Sequence, residues 1–233
     1  MSDPVLYQLP PACGLLSFSP YCVKVQLALK LKKIPFTTVN TLFPRENPRN
    51  KVPYLVWGEK RLEDSTAIVA AIDEAGFGPK LIPSDPKLRA DAHILEDWAD
   101  ESLYWQGVRI KFGDDEVWKR IEPEFRQGFP AWMRPMGTLV ARRQTLAKLD
   151  AQGLSRRAQQ LADLELEQHL DALETRLAGR AWLVGDAPSI ADLAVTAMLS
   201  QLNEQVSPKH AAAIAKRPAL AKMMNEVHAL ARG

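Results

Sequence analysis

The pattern of apolar and polar positions changes about a third of the way along the chain. Before residue 83 the apolar runs are short, and Pro or Gly separates them. Short runs rich in β-branched and aromatic residues between such breaks are typical of β-strands. They predict strands at residues 5–9, 36–41, 54–57 and 60–62.

The segment after the first strand fits two periodicities. Alternate positions from Val23 to Leu31 are apolar, which favours a strand, but Val23, Leu27 and Leu31 also repeat at helical spacing. We predict a helix, because Ser19 is a preferred N-cap residue and Pro20 is favoured at the first helical position. A second helix is predicted at residues 65–74, where apolar positions again share one face.

Beyond residue 83 the pattern is helical. Residues 81–86 form a predicted linker, and the stretch 113–137, which Pro and Gly interrupt, is predicted to be irregular. Helices are predicted at residues 87–112, 138–152 and 158–177, from Ser189 with Asp192 in a capping-box variant, and from Pro218 onward. The pattern therefore predicts an α/β domain at residues 1–80 and an all-α domain at residues 87–233.

Composition narrows the class of protein. The 233 residues are 46% hydrophobic and 25% charged, which is typical of a folded globular chain. Thirty Lys and Arg against 28 Asp and Glu argue against nucleic acid as a partner. No apolar run is long enough to span a bilayer, and the N-terminus shows no secretory signal, so we expect a cytoplasmic protein with no membrane partner. Two cysteines are too few for a disulfide framework, and the four histidines lack metal-ligand spacing with either cysteine, so we expect no metal site.

The strongest local motif is Ser19-Pro20-Tyr21-Cys22 at the predicted start of the first helix. It has the form of a redox Cys-Pro-Tyr-Cys site in which Ser replaces the first Cys. Free N–H groups and the positive end of a helix stabilise an anion such as a thiolate. A hydroxyl at position 19 forms no disulfide but can donate a hydrogen bond to a bound thiolate. The alternative is an ordinary N-cap serine, which the local sequence alone favours.

Two further motifs are weak by themselves. A Pro directly before a strand makes the Val52–Pro53 bond a candidate for the cis form, in which the Val52 backbone is free to pair with a peptide-like ligand. Asp64 and Ser65 begin a predicted helix, where Ser65 can cap the helix or hold a ligand carboxylate and Asp64 can accept from a ligand ammonium. The alternatives are an ordinary strand-entry proline and a simple helix cap.

The order and spacing of these motifs carry more information than each motif alone. The strand, the Ser19-Pro20-Tyr21 helix start, the Val52-Pro53 turn, the hairpin, the Asp64-Ser65 helix and the linker together resemble the cytosolic glutathione transferase superfamily. The segment 183–192 is similar to that superfamily's folding-core helix start. The lengthened loop at residues 11–18 resembles the bacterial branch related to failed-axon-connections and metaxin proteins.

The resemblance implies a thioredoxin-like N-terminal domain that binds glutathione and an all-helical domain that shapes the second-substrate pocket. By position, Ser19 matches the hydroxyl that stabilises the glutathione thiolate in serine-type classes, and the longer loop makes Ser17 an alternative. The resemblance also implies that Asp64 and Ser65 bind the γ-glutamyl end of glutathione and that Lys51 binds its glycine carboxylate. Val52, followed by a cis Pro53, would bind the cysteinyl part. Asp64 stands where many members have Glu or Gln, which shortens its reach.

The first long helix supplies candidates for the wall of a hydrophobic-substrate pocket. They are Tyr104, Trp105, Arg109 and Phe112, and packing between helices is an equally good explanation of all four. The implied function is transfer of the glutathione sulfur to a small hydrophobic electrophile, as in detoxification, by a homodimer. Two alternatives remain: a non-catalytic glutathione-binding or interaction protein on the same fold, and a thiol oxidoreductase that uses Cys13 or Cys22.

Overall fold

The N-terminal third of the chain folds into a small sheet with two helices. The computed structural model describes residues 3–44, 47–156 and 159–232. The predicted order of strand, helix, three strands and helix is confirmed. The elements are β1 (Val5–Gln8), α1 (Pro20–Leu31), β2 (Thr37–Asn40), β3 (Tyr54–Trp57), β4 (Lys60–Glu63) and α2 (Ser65–Glu74).

The four strands form one mixed sheet in the order β2-β1-β3-β4. β1 pairs with β2 in parallel, whereas β1 with β3 and β3 with β4 are antiparallel. The parallel pair needs a crossover, and α1 supplies it. This is the thioredoxin-like arrangement that the resemblance implied.

The rest of the chain is helical. The elements are α3 (Pro86–Trp98), a π-helical turn (Ala99–Leu103), α4 (Tyr104–Gly113), α5 (Asp115–Gln127), a 3₁₀ turn (Ala131–Met133), α6 (Arg134–Ala151), α7 (Gln159–Arg176), α8 (Ile190–Ser200), α9 (Pro208–Ala215) and α10 (Pro218–Leu230). None of the helices in the described ranges is both long and apolar enough to cross a bilayer.

Two predictions for this region are wrong. The predicted single helix over residues 87–112 is divided by the π-helical turn. The predicted irregular stretch contains α5, which continues through Pro123. The carboxylate of Asp114 caps α5, and Val117, Ile121 and Phe125 bury one helical face. Burial of that face outweighs the single backbone hydrogen bond that a proline removes.

α8 is the central helix of the core. Its residues 190–199 are all buried, and α1 from the sheet layer packs directly against it. The predicted capping box is confirmed: the Asp192 carboxylate accepts from the backbone N–H groups of Ser189 and Leu183, each at 2.8 Å. Leu81, the first residue of the predicted linker, is held from both sides. Its N–H donates to the Asp73 carboxylate at the end of α2, and its carbonyl accepts from the N–H of Ile190 at the start of α8.

Candidate functional site

The sheet register brings three loops together at one end of the sheet. In the ladder, Tyr7 near the end of β1 lies opposite Tyr54 at the start of β3, and Tyr54 lies opposite Glu63 at the end of β4. The loop before α1, the Val52–Pro53 turn and the start of α2 therefore share one edge. The residues that the sequence analysis predicted to bind glutathione lie in these three loops.

Ser19 occupies the N-cap position of α1, yet its hydroxyl makes no capping hydrogen bond. Its carbonyl accepts from Val23 N–H at 3.1 Å, while the N–H groups of Tyr21 and Cys22 have no partner in the described part of the chain. The first turn of α1 thus presents two N–H donors, the positive end of the helix and a hydroxyl that is not used as a cap. Such a helix start favours an anion.

Ser17, the alternative hydroxyl, is fully buried and serves the backbone of the loop. Its Oγ donates to the carbonyl of Leu9 at 2.8 Å and accepts from the N–H of Ser19 at 3.2 Å. Because its single proton is already donated, Ser17 holds the main chain that leads into Ser19.

The two cysteines are buried free thiols. Burial raises the pKa of the Cys22 thiol to about 11, although the neighbouring Ser19 hydroxyl and Leu9 backbone offset part of the effect. Burial, with the nearby Glu124 carboxylate, likewise raises the pKa of Cys13 to about 11. Both thiols are therefore protonated at neutral pH, and neither has the low pKa and the access of a redox nucleophile.

The Val52–Pro53 bond is cis, as expected. Pro53 is buried, Val52 is half-buried, and the backbone of Val52 has no hydrogen-bond partner among the described residues. Asn47 holds the preceding loop by donating to the Lys51 carbonyl at 2.7 Å. The Lys51 side chain is exposed and makes no ion pair in the described ranges. The backbone N–H and carbonyl of Val52, unpaired in the part of the chain that the structure describes, and the exposed cation of Lys51 therefore lie on adjacent residues at this edge of the sheet.

Asp64, and not Ser65 as expected, caps α2. Its Oδ1 accepts from the N–H groups of Thr66 at 3.0 Å and Ala67 at 3.4 Å. The backbone φ of Asp64 is +74°, a conformation that few non-glycine residues adopt. Ser65 is the first residue of the helix and is buried, while the Asp64 carboxylate remains exposed at the same edge as Val52.

A buried ionic cluster that the sequence analysis did not predict lies next to the start of α2. Lys24 of α1 is fully buried, and its Nζ donates to Glu96 Oε1 at 2.8 Å and Asp100 Oδ2 at 2.5 Å. It also donates to the Thr66 hydroxyl at 3.3 Å. Lys24, Thr66, Glu96 and Asp100, the Lys24 cluster, connect both helices of the sheet layer to the helical region.

Asp100 is the member of the Lys24 cluster that retains an unused acceptor. Its Oδ1 is buried without a hydrogen-bond partner in the described structure. Burial raises the pKa of Asp100 to about 6; Lys24 opposes this shift, and the carboxylates of Glu96 and Asp64 add to it. Asp64 is connected to the Lys24 cluster through Thr66, whose N–H donates to Asp64 Oδ1 and whose hydroxyl donates to Glu96 Oε1. The π-helical turn sets the position of Asp100, and such turns are frequent at functional sites.

The four candidates for the pocket wall fall into two groups. Tyr104 and Trp105 are half-buried, and the Tyr104 ring packs on Tyr21 of α1 with centroids 4.8 Å apart. Arg109 and Phe112 are buried, and Phe112 belongs to an aromatic cluster with Phe18. The first pair lies beside the start of α1, whereas the second pair packs inside the helical region.

Comparison with known families agrees with this geometry. The sequence model of the glutathione S-transferase N-terminal domain matches residues 20–117. The model of the glutathione S-transferase C-terminal domain matches residues 141–232. Among the described residues, no group of His, Cys, Asp and Glu could hold a metal ion.

Individual proteins give the same picture. The isoprene-epoxide–glutathione S-transferase of Rhodococcus sp. (strain AD45) is 27% identical over 209 residues, which cover 86% of this chain and 87% of that protein. FzlA from C. crescentus superposes with a TM-score of 0.62 at 24% identity, covering 97% of this chain and 88% of that one. A glutathione S-transferase from Methylobacterium radiotolerans, in complex with glutathione sulfonate, superposes with a TM-score of 0.61 at 22% identity, covering 98% and 91%.

Proposed function

Because this chain belongs to the cytosolic glutathione S-transferase superfamily, an enzyme family whose co-substrate is glutathione, we propose that it transfers the glutathione sulfur to an apolar electrophile. We place the sulfur at the start of α1. The arrangement of Ser19 carries this proposal: a serine at the N-cap whose hydroxyl does not cap the helix. The hydroxyl and the unpaired N–H groups of Tyr21 and Cys22 can then all act on one thiolate.

Ser19 is a better donor to sulfur than Ser17. The proton of Ser17 is donated to the Leu9 carbonyl, and its side chain is fully enclosed. If Ser17 turned toward a ligand, it would leave that buried carbonyl unpaired, which costs about 1–3 kcal/mol. Ser19 gives up no capping bond when it turns toward a bound sulfur, only its contact with the protonated Cys22 thiol.

The rest of the glutathione molecule fits the groups along the same edge. The free backbone of Val52, next to cis Pro53, pairs with the cysteinyl part, and the exposed Lys51 ammonium attracts the glycine carboxylate. The N-terminus of α2, at Ser65, takes the γ-glutamyl carboxylate. Asp64 takes the γ-glutamyl ammonium, and the unused Oδ1 of Asp100 adds negative charge behind it.

In the reaction, the glutathione thiol releases its proton and the resulting thiolate supplies an electron pair to an electrophilic carbon. A sulfur–carbon bond forms, and the electrons of the broken bond leave with the departing group or stay on the oxygen of an opened epoxide. The protein lowers the barrier by stabilising the thiolate before the attack. Neither Cys22 nor Cys13 takes part, since their thiols are buried and protonated.

The electrophile-binding wall is formed by Tyr104 and Trp105, which are half-buried beside Tyr21. Arg109 and Phe112 support that wall from within the helical region. The alignment with an isoprene-epoxide transferase makes small epoxides the first electrophiles to assay. From the family resemblance we also propose a cytoplasmic homodimer with a role in detoxification. From its long first loop we further propose that it belongs to the bacterial branch related to failed-axon-connections and metaxin proteins.

A titration of the purified protein tests the function. Calorimetry with glutathione measures binding, and the ultraviolet absorbance of the bound thiolate, followed against pH, measures the thiol pKa. We expect that pKa to lie below the value for free glutathione, with turnover of chlorodinitrobenzene or a small epoxide. Absence of glutathione binding would refute the proposal, and binding with an unshifted thiol pKa and no turnover would favour a non-catalytic glutathione-binding protein.

Removing the negative charge of Asp64 by the substitution Asp64→Asn should weaken glutathione binding and leave the helix cap intact. An Asn at this position keeps the oxygen that accepts from Thr66 and Ala67, because Asn and Asp cap helices equally well. We expect Asp64→Asn to raise the Kd for glutathione about fivefold, the size of a modest ion pair, and to leave the melting temperature unchanged. Calorimetry and thermal unfolding measure both quantities.

The matched control for that variant is Asp85→Asn. Asp85 caps α3 in the same way, with its Oδ1 accepting from Lys87 and Leu88 at 2.9 Å, and it is exposed. We expect wild-type glutathione affinity in this control. Equal affinity of Asp64→Asn and wild type would remove Asp64 from the glutathione site.

A further inference from the structure

Lys111 of α4 is a buried lysine without a carboxylate partner in the described structure. It is 3% exposed, and its Nζ donates to Gln201 Oε1 at 2.7 Å and to the Phe18 carbonyl at 3.3 Å. Both acceptors are neutral. The other buried lysines, Lys24 and Lys32, each have a carboxylate within 3 Å. Lys111 is therefore an exception among the buried lysines of the described structure.

The surroundings of Lys111 compensate only in part for burying an amine. Its Nζ lies 4.3 Å from the centroid of the Phe18 ring, a favourable cation–π position. Burial nevertheless lowers the pKa of Lys111 to about 7, and the Cys13 thiol is the titratable group that opposes this shift. A buried amine with such weak compensation costs stability. A role at this particular place would account for its presence.

The place is the main chain that leads into Ser19. Lys111 binds the carbonyl of Phe18, the residue directly before Ser19. Gln201, at the end of α8, donates from Nε2 to the Ser17 carbonyl at 3.4 Å while its Oε1 accepts from Lys111. The helical region thus holds two successive carbonyls of the loop through one connected pair of side chains.

The Ser19 hydroxyl depends on this support more than a capping serine would. A capping hydroxyl is oriented by the N–H groups of its own helix, and Ser19 makes no such bond. Its hydroxyl contacts the Cys22 thiol, and its place at the helix start follows the main chain of Ser17 and Phe18, which Gln201 and Lys111 hold. Displacement of a catalytic group by about 1 Å can cost a large factor in rate, so the support of this loop bears directly on catalysis.

We propose that Lys111 is a positioning residue for the Ser19 hydroxyl, acting with Gln201 through the carbonyls of Phe18 and Ser17. The inference rests on the proposed function, because it assigns Ser19 to the glutathione sulfur. Lys111 touches no substrate in this role. Its loss should raise the pKa of bound glutathione and lower kcat, while the peptide contacts that determine glutathione affinity remain.

The test is Lys111→Met, which keeps the apolar stem and removes the N–H donors. We expect the thiol pKa of bound glutathione to rise by about one unit, which equals about a tenfold loss of thiolate at pH 6.5. The Kd for S-methylglutathione, which has no ionisable thiol, should stay the same. Hydrogen exchange of the Ser19 amide should become faster, because its loop loses the bond to the Phe18 carbonyl and Gln201 loses the donor that holds its Oε1.

The matched control is Arg142→Met. Arg142 also donates to a backbone carbonyl, that of Phe112 at 3.0 Å, and lies 5.2 Å from an aromatic ring centroid, but it supports no part of the loop before Ser19. We expect a wild-type thiol pKa in this control. Should Lys111→Met fail to fold, Gln201→Glu retains an acceptor for Lys111 and removes the donor to Ser17, and it should raise the thiol pKa in the same direction.

The outcomes separate this inference from the proposed function. A wild-type protein that forms no bound thiolate defeats the proposed function, and with it this inference, before any variant is made. A wild-type protein with a lowered thiol pKa, together with a folded Lys111→Met of equal pKa, defeats the inference alone. Faster exchange at Ser19 without a change in thiol pKa would make Lys111 a purely structural residue and would also overturn it.

Discussion

Ser19→Ala should lose glutathione activation and keep glutathione binding. A hydrogen bond from a hydroxyl to a charged group contributes about 1.5–3 kcal/mol, which corresponds to about 1–2 pKa units. Since only the thiolate attacks, we expect kcat/KM at pH 6.5 to fall about 10- to 100-fold. The start of α1 is not capped by this side chain, so the variant should fold with wild-type stability.

The pH dependence makes the Ser19 result specific. The hydroxyl lowers the thiol pKa, so its removal shifts the acid limb of the kcat/KM profile to higher pH. Above the thiol pKa of the variant, glutathione ionises without help and the loss of rate shrinks. The profile from pH 5.5 to 9.5, with calorimetry of S-methylglutathione for binding, measures this effect. An acid limb at its wild-type position would exclude Ser19.

Ser17→Ala is the matched control for Ser19→Ala. Its hydroxyl bridges the Leu9 carbonyl and the Ser19 N–H, so its removal should destabilise the fold by about 1–3 kcal/mol. The acid limb should move less than in Ser19→Ala. A larger shift in Ser17→Ala than in Ser19→Ala would transfer the thiolate contact to Ser17.

Lys24→Met should be the most destabilising conservative substitution at the junction of the sheet layer and the helical region. It leaves two buried carboxylates, Glu96 and Asp100, without their ammonium. Removal of one partner from a buried ion pair costs about 3–5 kcal/mol. Urea unfolding at pH 7.5 measures the free energy of unfolding. Lys30→Met, on the same helix but half-buried and outside any ion pair in the described structure, should change it by less than about 0.5 kcal/mol.

The destabilisation of Lys24→Met should depend on pH. Burial raises the folded-state pKa of Asp100 to about 6 from its ordinary value of 3.8. A carboxyl with a raised folded pKa stabilises the fold at low pH, and that contribution is lost as pH rises through the folded pKa. Without the Lys24 ammonium, burial raises the pKa of Asp100 further, so the variant should regain stability as the pH falls from 7.5 to 5. The triple variant Lys24→Met, Glu96→Gln, Asp100→Asn should recover stability at pH 7.5, and a triple variant as unstable as the single one would contradict this explanation.

Local sequence was sufficient where a few adjacent residues determine the structure. Ser19-Pro20 predicted the start of α1, and Ser189 with Asp192 predicted a capping box. The cis bond before Pro53 followed from the family resemblance, since the local sequence fits an ordinary strand-entry proline equally well. Where two adjacent residues compete for one role, local sequence failed. Asp64 caps α2 in place of Ser65, because it occupies the N-cap position, from which a carboxylate reaches the N–H groups of the first turn, while Ser65 is already the first helical residue.

Proline was overinterpreted in the helical region. Pro123, with the Gly and Pro residues that follow it, led to the prediction of irregular structure, yet α5 passes through it. The apolar face of Val117, Ile121 and Phe125 is buried against the aromatic cluster, and a local rule contains no information about that partner. The π-helical turn at Ala99–Leu103 was equally invisible, because it is fixed by the buried contacts of Asp100 and not by propensity.

The sequence by itself determined the order of elements in the N-terminal third, the helix start that carries Ser19 and the family resemblance, because all of these depend on residues near one another along the chain. Only the tertiary structure decided that the Ser19 hydroxyl is not a cap, that Lys24 is bound by carboxylates 72 and 76 positions away, and that Lys111 and Gln201 hold the loop before Ser19. Long-range contacts of this kind leave no periodicity in the chain. They exist because buried polar groups must find partners wherever the packed core brings them.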